Sequence, residues 1–447
     1  MIAGLYDDLC EKAAEGRPIR VALIGAGTFG GMAIRQCLRV PGIELVAVAD
    51  LDVIRAATAL RDAGVNQQRL AFNLPAPSDS ILVTTDADAA IASEHVDIVI
   101  EATGSPIAAI RHIRLAFAAA KHVVNVTVEA DALVGSALAV EAHSLGLTYS
   151  LAYGDQPALI CELVDWARVN GFDVISAGKG TLHKPGFEWT SPDTVWTRYG
   201  MDATQADGAG YDRRMFTSFV DGTKSAIEMA VVASATGLAV PKAGLGFLPV
   251  GIGELPSTLR PRHAGGQLER SGIVEVISAI EADGEAVTND LRWGVFVVVG
   301  TDDNEVARCF RDYGLTTDTT GKFAALWRNN HLVGMELMTS IASVGLLGRP
   351  TGVPKAHCAE VVAVAKRDLP EQMEIDGEGG YTVFGKLMPA ENARSEGAVP
   401  IGLARGLRTV RHVSQGDLLT WEDVDGPGPD DIRSLRESMF NNVAVSA

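Results

Sequence analysis

The sequence predicts an α/β protein: a doubly wound parallel sheet first, then an α+β region, then a small β-rich tail. Three observations carry this prediction. In the first 150 residues, short and almost wholly apolar runs alternate with stretches whose apolar residues recur at helical spacing. A cluster of glycines follows the first apolar run at once. Beyond residue 150 the strict strand–helix beat is lost, and residues 381–425 read as short strands and turns.

Residues 3–16 read as a short, polar-faced helix. Residues 19–24 (IRVALI) are apolar enough for a strand buried on both faces, as in a parallel sheet. Residues 29–40 read as a helix ended by Pro41-Gly42. Strands are expected at 44–49, 81–84, 96–101 and 122–126, with helices at 53–63 and 107–120. Strands alternating with helices imply right-handed βαβ units and one nucleotide-binding-like domain over 1–150. A second domain is expected over 151–375. It has strand-like segments at 172–177, 273–282 and 294–300, a small-residue helix at 225–236, and an irregular stretch at 304–309. The acidic, Gly-rich segment 373–380 (MEIDGEGG) reads as a linker to a third domain over 376–447.

Composition excludes several classes. The chain has 447 residues, with 38 Lys plus Arg against 56 Asp plus Glu, a net charge of −18. That argues against nucleic-acid binding, which needs a basic face. A small anionic substrate needs only a few local cations. Apolar residues at 47% and charged residues at 21% fit a packed protein. The five cysteines (Cys10, Cys37, Cys161, Cys309 and Cys358) are scattered and form no CxxC pair, so reduced thiols are expected rather than a zinc site or a disulfide framework. Residues 1–17 contain no apolar stretch of signal-peptide type, and no run of about 18 apolar residues occurs. A soluble, cytoplasmic protein with no membrane span is expected.

Residues 25–30 spell Gly25-Ala26-Gly27-Thr28-Phe29-Gly30, a G-x-G-x-x-G between a buried strand and a helix. Asp50 lies 20 positions past Gly30, at the end of the second strand. This is the context of a Rossmann dinucleotide site. Gly25 permits the tight turn, Gly27 lets the backbone approach the pyrophosphate, and Gly30 lets the helix pack on the strand. Thr28 and Phe29 open the helix whose free N–H groups face the phosphates. Asp50 would accept the ribose hydroxyls of NAD, whereas Arg55 could reach the 2′-phosphate of NADP; the chemistry of Asp50 alone leans to NAD. Thr103 and Gly104, in the loop after the fourth strand (EATGSP), sit at the ligand-binding edge of such a sheet.

Three clusters are candidates for the chemistry. Glu129 and Asp131 (NVTVEAD, 125–131) could hold a divalent metal through hard oxygens or move protons. Lys179, Thr181, His183 and Lys184 (KGTLHK) could cradle a phosphate or carboxylate. Lys224 and Glu228 share a helix face at i and i+4, at the mouth of an apolar and therefore buried helix. Arg260, Arg262 and His263 (RPRHAGG), Asp318 (LTTDTTGK), His331 and Glu336 are weaker candidates.

On these residues the sequence resembles the homoserine-dehydrogenase-like oxidoreductases that carry a C-terminal SAF domain. VALIGAGTFG, EATGSP and HVVNVTVEADALVG match the first domain, the last standing where that family has a "VVTANKALL"-type segment. KGTLHK stands in place of "GTTNYIL", and DGTKSAIEMAVVASATG in place of "SGxDVARKLxILARxxG". Residues 400–404 and 413–424 match the SAF pattern. Three departures matter. The family's aspartate is Lys224 here and its catalytic lysine is Glu228, while the lysine of "TANK" is missing, with Val128-Glu129 nearby. Homoserine is therefore a poor expectation as substrate.

The sequence is more similar to a branch of 1-deoxy-D-xylulose 5-phosphate reductoisomerase-like enzymes. That resemblance implies NADP(H), a divalent cation (Mn²⁺ or Mg²⁺) and a phosphosugar substrate, with a rearrangement followed by hydride transfer, a step of isoprenoid precursor synthesis. It implies Lys224, Glu228, Glu129 and Lys179 as catalytic residues. Lys184, His183, Thr181, Arg262 and Asp318 would bind substrate, and Glu129, Asp131 or Glu228 would bind the metal. A homo-oligomer, dimer or tetramer, is expected. NADP(H) is taken forward, with NAD as the alternative. The other functional expectations are a dehydrogenase acting on another hydroxy acid or polyol, and a non-enzymatic nucleotide-binding protein with the SAF tail as a binding module.

Overall fold

The computed structural model describes residues 4–73, 77, 79–426 and 430–441. The chain forms two compact units. One comprises Met1–Glu162 with His331–Lys355, the other Leu163–Asn330 with Ala356–Ala447.

The first unit is built on a seven-stranded sheet: β1 Ile19–Ile24, β2 Ile43–Ala49, β3 Leu70–Ala71, β4 Ile81–Thr84, β5 Ile98–Glu101, β6 His122–Asn125 and β7 Tyr149–Leu151. The order is β3-β4-β2-β1-β5-β6-β7 and every pairing is parallel. The expected strands all form, within a residue or two of their anticipated ends. β3 and β7 were not anticipated; at two and three residues they are too short to carry a periodicity. The order reverses beside β1, so the glycine-rich turn that leaves β1 stands at the switch point where such sheets bind ligands. Helices Thr28–Cys37, Val53–Asp62, Pro106–Ala118 and Val128–Ser144 connect the strands.

One helix of this unit comes from far along the chain. Met338–Leu347 packs Leu337, Ile341 and Val344 into the core that contains Ile19, Val21 and Leu23. Gly345 lies so close to Ile19 that an added Cβ would stand 2.5 Å from its Cδ1. The sequence alone assigned this segment to the second domain.

The second unit contains β8 Asp173–Thr181, β9 Leu248–Pro249, β10 Ile273–Ser278, β11 Val295–Gly300, β12 Thr316–Thr317 and β13 Phe323–Arg328 in one mixed sheet, ordered β12-β13-β11-β8-β10-β9. β8 runs parallel to β10 and antiparallel to β11. Helix Thr223–Thr236 packs against β8 and β10 and also against the hairpin of β14 Ala359–Ala365 and β15 Val383–Pro389. That double packing explains its Ala- and Ser-rich sequence: nearly every residue in it is buried, so both sides need small side chains. At one close approach the Gly385 N–H donates to Thr223 Oγ1 at 2.8 Å. β16 Arg408–Thr409 and β17 Val424–Asp425 form a last short pair.

Two expectations are corrected here. Residues 304–309, read as irregular, belong to helix Asn304–Asp312. Asp303 caps it by accepting from the N–H groups of Glu305 and Val306, and Ala307 and Phe310 supply its buried face. Residues 373–380, read as a linker, are packed. Ile375 is fully buried, and Asp376 accepts from the N–H groups of Tyr381 and Thr382. The glycines at 377 and 379 serve positive φ rather than freedom. Residues 376–426 and 430–441 therefore lie in the same compact unit as 163–330.

Candidate active site

The turn leaving β1 has the shape a dinucleotide needs. Gly25 adopts φ +100°, and a Cβ there would overlap the Ala102 carbonyl. A Cβ on Gly30 would overlap the Gly25 carbonyl, so only glycine lets helix Thr28–Cys37 sit this close to β1. Gly27 differs from both. Nothing lies within 4 Å of its Cβ position, and with Thr28 it is exposed at the start of the helix. The helix N-terminus carries no side-chain cap, leaving its N–H groups for an anion. Phe29 is half-buried beside them. The residues present thus fit a bound pyrophosphate.

Asp50 and Arg55 form one assembly. Asp50 Oδ2 accepts from the Ala26 N–H at 2.7 Å and Oδ1 from the Asp52 N–H at 2.8 Å. Arg55 grips the same carboxylate through Nη2 at 2.5 Å and Nε at 3.3 Å. Burial pushes the Asp50 pKa up, but Arg55 and the two N–H donors outweigh it and hold the pKa below the usual carboxylate range. The carboxylate is almost inaccessible, whereas the Arg55 side chain is 53% exposed. Asp50 spends its acceptors inside the protein, and Arg55 is the group presented to solvent.

The 101–106 loop is organised by Glu101. Its carboxylate is fully buried and accepts from Thr103 Oγ1 at 2.7 Å and from Thr127 Oγ1, with His112 Nδ1 at 3.3 Å. The Thr103 hydroxyl, expected on the cofactor, is thus directed inward, while Gly104, with φ +70°, stays exposed. An isolated acid ending a buried strand was the available sign of this hub.

The expected metal set does not assemble. Asp131 Oδ1 accepts from the Tyr149 hydroxyl at 2.6 Å and Oδ2 from Asn125 Nδ2 at 2.7 Å. Burial, abetted by the charges of Glu129 and Asp155, raises the Asp131 pKa to about 7. Glu228 is bound to a lysine, as described next. Glu129 is half-buried at the start of helix Val128–Ser144. Among the described residues no group of three His, Cys, Asp or Glu is arranged to hold a metal ion. Asp131 spends both oxygens on internal bonds and Glu228 is paired with a lysine, so neither of these carboxylates is placed to serve a divalent cation.

In the second unit, Lys179 on β8 and Glu228 on helix Thr223–Thr236 form a buried ion pair, their side chains 7% and 3% exposed. The spacing of β8 explains why Lys179 stands between glycines. A Cβ on Gly178 would overlap the Glu275 carbonyl, and one on Gly180 the Leu291 carbonyl, so the chain on either side has no room for side chains. Glu228 is the one hydrogen-bond partner of Lys179 Nζ among the described residues. An ammonium has three donors, so two remain. Lys224, half-buried, lies one turn before Glu228.

The other expected substrate residues separate. His183 and Lys184 line a cavity that the Lys179–Glu228 pair does not line. Thr181 ends β8, its carbonyl accepting from the Ala279 N–H at 2.8 Å. Arg262 is exposed on the turn Arg262–Ala264. Asp318 is buried and structural. It pairs with Arg260, not Arg262, and accepts from Thr320 Oγ1 and from the N–H groups of Thr320 and Phe323. Asp318 thus pins a turn and has no acceptor left for a substrate. Glu275 was missed. It is a buried carboxyl within β10 whose pKa burial lifts to about 7, and a lone acid in an otherwise apolar strand (IVEVIS) was its signal.

Residues 154–337, less than half of the chain, match the family described as oxidoreductase DRL, catalytic domain. No curated protein matches the chain. A homoserine dehydrogenase from Thiobacillus denitrificans is similar at 20% identity and a TM-score of 0.36, covering 49% of each chain. A putative oxidoreductase from Klebsiella pneumoniae, at 15% identity and a TM-score of 0.37, covers 75% of this chain and 88% of its own. GenD2 from gentamicin A biosynthesis, solved in complex with NAD, gives 15%, 0.37, 75% and 89%. The chain thus spans about half the length of the first of these structures. The likenesses are too distant to carry a substrate or a mechanism. Residues 154–337 thus match an oxidoreductase catalytic domain, and the first unit is a parallel sheet with a turn of dinucleotide-binding shape at its switch point.

Proposed function

We propose that this protein is a cytoplasmic, NADP(H)-dependent oxidoreductase acting on a carbonyl or hydroxyl of a small polar substrate, with Lys179 and Glu228 as its acid–base pair. The observation that carries the reading is a buried ammonium with one donor spent on Glu228 and two unspent among the described residues. Such a group is suited to a substrate oxygen. In the reducing direction a hydride would come from NADPH bound at the glycine-rich turn. The carbonyl oxygen takes a proton from Lys179 Nζ, and Glu228 orients the lysine and can relay the replacement proton. Lys224, on the same side of its helix as Glu228, adds a second cation for substrate. No step is assigned to a metal.

NADP(H) is favoured over NAD(H) by the Arg55 assembly, because a guanidinium fixed by a buried carboxylate suits a 2′-phosphate. Arg55→Ala is expected to raise the Kd for NADPH by roughly 10- to 100-fold and to leave NADH nearly unchanged. Fluorescence titration of both reduced cofactors measures this, and equal losses for the two would refute the assignment.

The finer reading, on the sequence resemblance, is a 1-deoxy-D-xylulose 5-phosphate reductoisomerase-like enzyme with residues 376–447 as an SAF-like module. The test follows NADPH absorbance with 1-deoxy-D-xylulose 5-phosphate, with and without Mn²⁺. Substrate-dependent oxidation supports it. No oxidation, with NADPH binding established separately, rejects it and leaves a dehydrogenase of another hydroxy acid or polyol.

A further inference from the structure

The tail carries a cavity of its own, of about 540 Å³. Every residue lining it falls between 360 and 440, outside residues 154–337, the segment matched as a catalytic domain. One wall is helix Asp430–Asn441, which contributes Arg433, Arg436, Glu437 and Phe440. That i, i+3, i+4, i+7 spacing makes a single helix face. At 1.5 Å per residue the face runs about 10 Å from Arg433 to Phe440. Ile432 and Met439, both buried, anchor the helix. Ala398, Leu403, Leu407 and Val424 give the cavity an apolar lining.

A guanidinium laid on an aromatic ring stands at each end of this face. Arg433 lies over the Trp421 ring, 5.1 Å from its centroid. Arg394, from helix Ala390–Ser395, lies over the Phe440 ring at 4.8 Å. His357 holds Phe440 in turn by an edge-to-face contact, with centroids 5.0 Å apart. Stacking on a ring fixes the guanidinium plane and leaves the N–H groups along its edge to donate. Both arginines are exposed, and neither has a hydrogen bond or an ion pair from its side chain among the described residues.

The acids at the cavity say where an anion fits and where it does not. Glu360 is bound to Arg436, their side chains 4% and 11% exposed, and its Oε1 accepts from the Val361 N–H at 3.1 Å. Burial pushes the Glu360 pKa up, but Arg436 and His357 outweigh it and hold the pKa below the usual carboxylate range. Asp425 is exposed and accepts from the Gly426 N–H at 2.8 Å. Glu437 is exposed and stands between the two ends of the helix face. It opposes a single anion at the middle of the face, such as a phosphate, and leaves the two ends cationic.

We propose that this cavity is a binding site for a dicarboxylate with an apolar middle. One carboxylate meets the edge of Arg433 and the other the edge of Arg394, each as a two-oxygen pair with a guanidinium fork. The apolar lining and the two rings cover the carbon chain between them. The inference rests neither on the cofactor site nor on Lys179 and Glu228 as the acid–base pair.

The test is calorimetric titration of the full chain with suberate, a straight eight-carbon dicarboxylate, and with octanoate, at one fixed ionic strength. One suberate should bind per chain, and octanoate should bind roughly tenfold more weakly. Arg394→Gln and Arg433→Gln should each cost suberate roughly tenfold. In either variant suberate should bind no more tightly than octanoate binds the parent. Both side chains are exposed, so both variants should melt like the parent. Glu437→Gln should tighten suberate binding, and Glu228→Gln should leave it unchanged. The proposal is overturned by the lack of saturable suberate binding, by octanoate binding as tightly as suberate, by indifference to both arginine substitutions, or by loss of binding in Glu228→Gln, which would place the ligand at the ion pair.

Discussion

Glu228→Gln is expected to lower kcat by roughly two to four orders of magnitude with NADPH affinity unchanged. The amide preserves shape and one acceptor oxygen toward Lys179, but it can neither balance the buried ammonium nor pass a proton. Lys179→Met should remove activity to the same depth. Stability separates the roles. Removing one partner of a buried pair costs about 3–5 kcal/mol, whereas replacing both by apolar residues is often neutral or better. Lys179→Met combined with Glu228→Leu should therefore melt near the parent temperature and still be inactive. Steady-state rates beside thermal unfolding decide the matter. Parent-like turnover in Glu228→Gln would remove the pair from the reaction.

The dinucleotide turn yields the second large effect, as a contrast between two glycines. Gly25→Ala places a methyl against the Ala102 carbonyl, its carbon 2.7 Å away, at a φ of +100°. Strain of about 1–3 kcal/mol, with the steric overlap added, should lower the melting temperature and abolish NADPH binding together. Gly27→Ala has nothing within 4 Å of its Cβ and a φ of −68°. It should melt like the parent yet lose cofactor affinity, because the methyl enters the space meant for phosphate. Thermal unfolding and NADPH titration of the two variants measure this. NADPH binding by Gly27→Ala at parent strength would show that the turn is not a pyrophosphate cradle.

Much of the first unit was legible because its signals are local. Ile19–Ile24, the glycines at 25, 27 and 30 and the acid at 50 are read within a few dozen residues, and each has one physical job. What stayed hidden depends on three-dimensional convergence. Asp50 looked like a ribose acceptor, since nothing in the sequence says that Ala26, Asp52 and Arg55 exhaust its oxygens. Lys179 and Glu228 were both singled out, but in different clusters, and only the packing of their helix on β8 joins them. His183 and Lys184 follow Lys179 closely in sequence yet line a cavity without it.

The return of helix Met338–Leu347 to the first unit bears on how the chain is made. The chain passes between the units three times, after residues 162, 330 and 355. A ribosome supplies the protein from its N-terminus. The surface on Ile19, Val21 and Leu23 that Leu337, Ile341 and Val344 cover therefore waits through more than 170 further residues after Glu162 before its cover is synthesised. The nascent first unit is a sheet with one apolar region open. An expressed fragment ending at residue 162 should show that surface as dye-binding, sticky protein rather than as a finished dinucleotide-binding domain.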